Sequence, residues 1–247
     1  MFLMYVVCNM GRSSKFLSFL AAALVWTVAP GALAGPVTLV GDNISYVYDD
    51  SQAALDWFGT PIIIGDTVAF IPSEFRSESL IPGDLSDVTA EFVFSSVYAN
   101  GGGALGEVVA LAEGDYGISN GGAINPNLEL ILEDNDSSEL ISEFGSDPDL
   151  SGNQIGIQPW EVALSLDAGI GFSGPVTDLQ ITLDNSLLAL TLPESDSVAW
   201  VQTKLAALRV SLAPLTSPPG DVPVPGVPLL MGLGLGLISL VRRKKAS

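Results

Sequence analysis

Residues 88–95 read Val-Thr-Ala-Glu-Phe-Val-Phe-Ser. Val88, Ala90, Phe92 and Phe94 recur at every second position, with Thr89, Glu91 and Ser95 between them. Successive side chains of an extended strand point to opposite faces, so this period of two predicts a strand with one face buried and one in water. The pattern returns downstream. Leu128, Leu130 and Leu132 alternate with Glu129 and Glu133; Val162, Leu164 and Leu166 alternate with Glu161, Ser165 and Asp167; Leu179, Ile181 and Leu183 alternate with Gln180, Thr182 and Asp184. Further runs, "ISYVYD" (44–49), "DTVAFIP" (66–72), "GEVVALA" (106–112) and "LLALTL" (187–192), bring the expectation to eight to ten strands.

Gly, Pro, Asn and Asp clusters punctuate these runs. They are "IPGD" (81–84), "ANGGG" (99–103), "AEGDYG" (112–117), "SNGGAINPN" (119–127), "GFSGP" (171–175) and "LDNS" (183–186). Many short strands with one solvated face predict an all-β chain, an antiparallel β-sandwich of jelly-roll-like topology. Two segments resist. "ALDWFG" (54–59) reads as one helical turn. In "SVAWVQTKLAALRV" (197–210), Val198, Val201, Leu205 and Leu208 keep helical spacing, whereas Leu208, Val210 and Leu212 alternate. Its end reads as strand and its start stays open.

The two ends differ from this middle. Arg12 and Lys15 precede an apolar stretch, Phe16 to Val28, and then a small-residue site, Ala32-Leu33-Ala34. This is the layout of a secretory signal peptide over 1–34, cut between Ala34 and Gly35. An uncleaved signal anchor is the rival reading, and Met10 is an alternative start to Met1. At the other end stand Val222-Pro223-Val224-Pro225-Gly226, an apolar run to Val241, and the cluster Arg242, Arg243, Lys244, Lys245. Sixteen apolar residues make a helix of ~24 Å against a hydrocarbon core of ~30 Å, a short transmembrane helix diluted by glycine. The basic tail would stay cytoplasmic, leaving residues 35–225 outside.

Between the ends, 35–213 form the expected sandwich, 214–221 a Pro-rich linker, and 222–247 the C-terminal signal. All 28 acidic residues of the chain lie between positions 35 and 221, against three basic ones, Arg76, Lys204 and Arg209. Such a surface repels phosphate backbones, so nucleic acid is not an expected partner. It attracts cations, calcium above all outside a cell, and it also keeps a secreted protein soluble.

The Pro motif, short helix and Arg/Lys tail together resemble the PEP-CTERM class of bacterial sorting signals, in its VPLPA-type variant. The resemblance covers 222–247 only, and the sequence reads Val-Pro-Val-Pro-Gly where the variant has Val-Pro-Leu-Pro-Ala. It implies recognition by an exosortase-like membrane transpeptidase, cleavage near the motif, and transfer to the surface or exopolysaccharide matrix of a Gram-negative bacterium. The stretch from "SYVYD" to "FGTPIIIGDTVAFIPSEFRSES" also looks like the opening of uncharacterised sorted surface proteins. No activity follows from that likeness.

The chemistry of catalysis is thinly represented. The chain has no His, and its one cysteine, Cys8, lies in or before the signal peptide. Triads, Cys–His dyads and the usual zinc sites therefore have no residues to use. Glycoside hydrolysis needs only two carboxylates, which 28 supply without distinguishing a pair. The glycines at 169, 171 and 174 match G-x-G-x-x-G, but Pro175 and the alternation after it predict a strand where a dinucleotide fold needs a helix. The chain is expected not to be an enzyme.

Two candidate sites remain. Asp147, Asp149, Ser151 and Asn153 place oxygen ligands at alternate positions around Gly152, as calcium loops do. Gln158 stands where such a loop would carry Glu, and a solvated acidic turn is the alternative. Asp134 and Asp136 make a poorer version of the pattern. No cofactor is expected, calcium apart. Trp160, beside Pro159, is the candidate sugar contact, set against a core tryptophan. The expected function is a non-catalytic surface or matrix protein; the alternatives are a carbohydrate-binding module and a single-span anchored surface domain.

Overall fold

The computed structural model describes residues 35–147, 150–151, 156–193 and 196–214. The signal-peptide site at Ala32 and Ala34, the Pro motif and basic tail, and all of the Pro-rich linker but Pro214 lie outside them. In chain order the strands are β1 (Pro36–Val40) and β2 (Ile44–Asp49), then a single helical turn α1 (Leu55–Phe58). Next come β3 (Ile62–Ile64), β4 (Thr67–Phe70), β5 (Arg76–Ser79), β6 (Leu85–Ala99) and β7 (Leu105–Ser119). The chain continues with β8 (Ala123–Asp134), β9 (Leu140–Ser146), β10 (Gln158–Asp167), a second turn α2 (Ala168–Gly171), β11 (Asp178–Leu190) and β12 (Val198–Leu212).

Two antiparallel sheets result, in the orders β1-β2-β6-β11-β8-β9 and β10-β7-β12-β4-β3, with β5 also pairing β12. Four pairs are nested: β8 with β9, β7 with β10, β6 with β11, and β4 with β12. This wrapped hairpin, shared between two sheets, is the jelly-roll arrangement. β4 and β5 lie in series along β12, opposite Ala206–Arg209 and Ala199–Gln202.

The inner faces share one core. Phe92 and Phe94 of β6 sit at its centre with Tyr46, Tyr48, Phe58 and Phe70. The ring centroids of Phe92 lie 4.7 Å from Phe70, 4.9 Å from Phe94 and 5.5 Å from Tyr48. The predicted turn at "ALDWFG" is α1, which drives Phe58 between the sheets.

Three predicted turns are instead strand. "AEGDYG" lies within β7, "LDNS" within β11, and "SNGGAINPN" narrows to the three residues before β8. The reasons are tertiary. A Cβ on Gly114 would stand 1.8 Å from the Gln202 carbonyl oxygen and 2.8 Å from Trp160 Nε1, and one on Gly117 would stand 2.5 Å from the Trp200 ring. These glycines are where tryptophans cross the strand, not where the chain turns. Asn185 is wholly buried and donates from Nδ2 to Thr203 Oγ1 across the core at 3.2 Å. Pro126 lies just beyond the last β8–β9 ladder pair, Asn127 with Ser146, so β9 loses no hydrogen bond to it. The open start of "SVAWVQTKLAALRV" is strand, because both edges of β12 are paired over it, by β7 and by β5.

Candidate functional site

The sequence-predicted sites separate. Asp147 is half-buried just after β9, Ser151 is exposed and bridges to Ala123, and Asp149 and Asn153 lie outside the described residues. The proposed calcium ligands are thus not assembled among the described residues. Nor does Asp134 start a calcium loop there. Its carboxylate turns back to accept Ser137 Oγ at 2.6 Å and the Asp136 N–H at 3.1 Å, closing the turn into β9. Trp160 is 3% exposed, with Nε1 donating to the Gln202 carbonyl at 3.1 Å. An indole so covered offers no face to a sugar ring, and its body is spent on the core.

What the sequence did not signal is how charge divides between the sheets. Arg76, Lys204 and Arg209 all stand on strands of the β12 sheet, and each has an acidic partner there. Arg76 pairs with Glu78 at 2.9 Å and lies over the Trp200 ring at 4.6 Å; Lys204 pairs with Asp115, and Arg209 with Glu107 at 3.8 Å. The β6 sheet carries acidic side chains and no Lys or Arg on any of its strands. On its outer face Glu91 stands opposite Asp184, and Asp184 opposite Glu129. Like charges directly across neighbouring strands repel.

Asp184 registers that repulsion. Its pKa is raised, first by partial burial and then by the charges of Glu91, Glu129 and Asp87. A carboxyl raised in the folded state weakens folding once ionised: stability is whole below its ordinary pKa and falls as the pH climbs through the raised one. Asp184→Asn should therefore increase the urea midpoint at neutral pH. The gain should vanish as the pH falls below the ordinary Asp value of about 3.9. Equal midpoints for the two proteins at neutral pH would show that the row is not strained.

Beside this row, β6 outruns its neighbour. β2 pairs with β6 only from Phe94 to Ala99. At Val93 the side chain of Gln52 takes over: Val93 N–H donates to Oε1, and Nε2 donates to the Val93 carbonyl, both at 2.8 Å. A cleft of about 360 Å³ opens there, lined by Asp49, Gln52, Ala53, Ala54, Glu91, Val93 and Ser95. Asp49 is held ionised at its mouth, its pKa lowered by the Ser51 hydroxyl and then by the Ser51 N–H. Among the described residues no group of three or more metal-ligating side chains is gathered, and no helix is long and apolar enough to cross a membrane.

No protein-family model and no curated protein matches the chain. Among solved structures it is similar to that of infectious bursal disease virus, Gx strain, at 13% identity and a TM-score of 0.26, over 83% of this chain and 53% of that one. The Gt strain of the same virus gives 13% identity and a TM-score of 0.22, over 83% and 55%. The chain spans about half the length of these structures.

Proposed function

We propose that this chain is an exported, non-catalytic protein of a Gram-negative surface or exopolysaccharide matrix, processed by an exosortase-like transpeptidase near Val222–Gly226. One observation carries the reading: the Pro motif, the short apolar run and the Arg242–Lys245 cluster stand in sorting-signal order behind a chain that opens with a signal-peptide layout. The fold is compatible with tethering from that side. β12 is paired on both edges and ends at Leu212, where Ala213 N–H is bonded to the Ala104 carbonyl at 2.9 Å. A load on the linker would act along a central strand and would have to shear two ladders together. The carbohydrate-binding alternative loses its stacking residue with the burial of Trp160.

Mass spectrometry of the native C-terminus in membrane and extracellular fractions tests the proposal. The expected result is an extracellular form ending within 222–226. An intact Ser247 found only in the membrane would replace sorting with a permanent single-span anchor.

A further inference from the structure

Because Gln52 holds both main-chain groups of Val93, that residue faces away from β11. The register between β6 and β11 is unbroken from Val93 to Leu85. By the two-residue period of a strand, Glu91, Thr89 and Asp87 turn their N–H and C=O groups to the same open side. All three residues are exposed, and no hydrogen bond reaches those groups among the described residues. Three of the outer strands carry features that blunt an edge: β10 has its Ser165 N–H covered by Glu143 at 3.0 Å, β1 opens on a proline, and β3 is three residues long. The edge of β6 is left open where β2 stops.

We propose that Asp87–Glu91 of β6 receives an added strand from a partner: an extended polypeptide segment bearing Lys or Arg. Its backbone would continue the line of β2, and one cationic side chain would enter the cleft beside Glu91. The cleft suits such a side chain, since Ala53, Ala54 and Val93 line it for an aliphatic stem while Asp49 and Glu91 meet the charged head. The charge of the sheet selects the occupant. Asp87, Glu91, Asp184 and Glu129 have no basic residue on any strand of their sheet, so a second copy pairing through the same edge would bring acid against acid. Main-chain pairing would supply affinity, and the cleft a preference for a basic residue at one position.

The test uses the full chain in mild detergent and the labelled peptide acetyl-Thr-Arg-Val-Lys-Val-Arg-Thr-amide, with its Glu-for-basic counterpart as control. Fluorescence anisotropy should show binding of the basic peptide alone. Thr89→Pro removes an outward N–H and places a ring on the edge, so it should weaken binding by at least about tenfold. Glu91→Gln should weaken it several-fold. Hydrogen exchange on the wild-type chain should show the Thr89 and Glu91 amides slowed by the peptide, a readout that stands even where Thr89→Pro disturbs folding. Binding without that protection, or equally tight binding to a folded Thr89→Pro protein, would reduce the contact to surface charge and overturn strand addition. Absence of binding, or equal binding of the acidic peptide, would overturn it as well.

Discussion

Gly114→Ala should leave no stably folded domain. The added Cβ would stand 1.8 Å from the Gln202 carbonyl oxygen and 2.9 Å from its carbon, so the obstacle is backbone, not a side chain that can swing aside. Relief would require parting β7 from β12 at the point where β12 carries its bulge between Thr203 and Leu205. It would also break the hydrogen bond from Trp160 Nε1 to Gln202. Losses above about 4 kcal/mol are exceptional for one substitution, and a domain of this kind has only about 5–15 kcal/mol in total. Gly101→Ala is the control, since nothing lies within 4 Å of its Cβ position and its φ is not in the left-handed region. Urea titrations followed by tryptophan fluorescence should show Gly101→Ala within about 0.5 kcal/mol of wild type. A cooperative wild-type-like transition in Gly114→Ala would mean that the β7–β12 register is wrong.

Phe92→Ala is the second large effect. Phe92 is wholly buried and contacts rings from β2, α1, β4 and its own strand, at Tyr48, Phe58, Phe70 and Phe94. Removing a buried Phe costs about 3–5 kcal/mol through lost transfer energy and the cavity left behind. Each lost aromatic pair adds about 0.5–1.5 kcal/mol beyond its area. The value should fall at the upper end, because the neighbours come from both sheets and cannot collapse together without bending each sheet. Phe92→Leu should cost less than half as much. If Phe92→Ala lost under about 1.5 kcal/mol, the site would be able to close, and the two sheets would not be packed as described.

These two positions show where reading the chain succeeds and where it stops. Phe92 was visible as a core residue from alternation alone, because a period of two sets the face of a side chain locally. Gly114 reads as a turn in the sequence, because a glycine admits turning, while the need for one here comes from the Gln202 carbonyl on β12, with the Trp160 indole beside it. Asn185 misled in the same way: its amide serves Thr203 across the core and not a turn. The start of β12 carries helical spacing and only its end alternates, yet pairing on both edges makes the whole of it strand.

The cleft by β6 had no motif to find. Gln52 and Val93 are 41 positions apart and meet only because β2 ends early and the chain turns aside at Asp49. The acidic row has the same origin. Glu91, Glu129 and Asp184 each sit on the polar side of an alternating run, so local periodicity alone turns all three away from the core. The sequence by itself determined as well the all-β class, the excess of acid, and the differing character of the two ends. Strand order and register are what put the three carboxylates in one row and Arg76, Lys204 and Arg209 on the other sheet. Burial of apolar side chains is a local preference repeated along the chain, whereas strand order and register follow from how the inner faces of both sheets pack against each other. The outer residues take whatever neighbours that packing imposes, repulsive ones included.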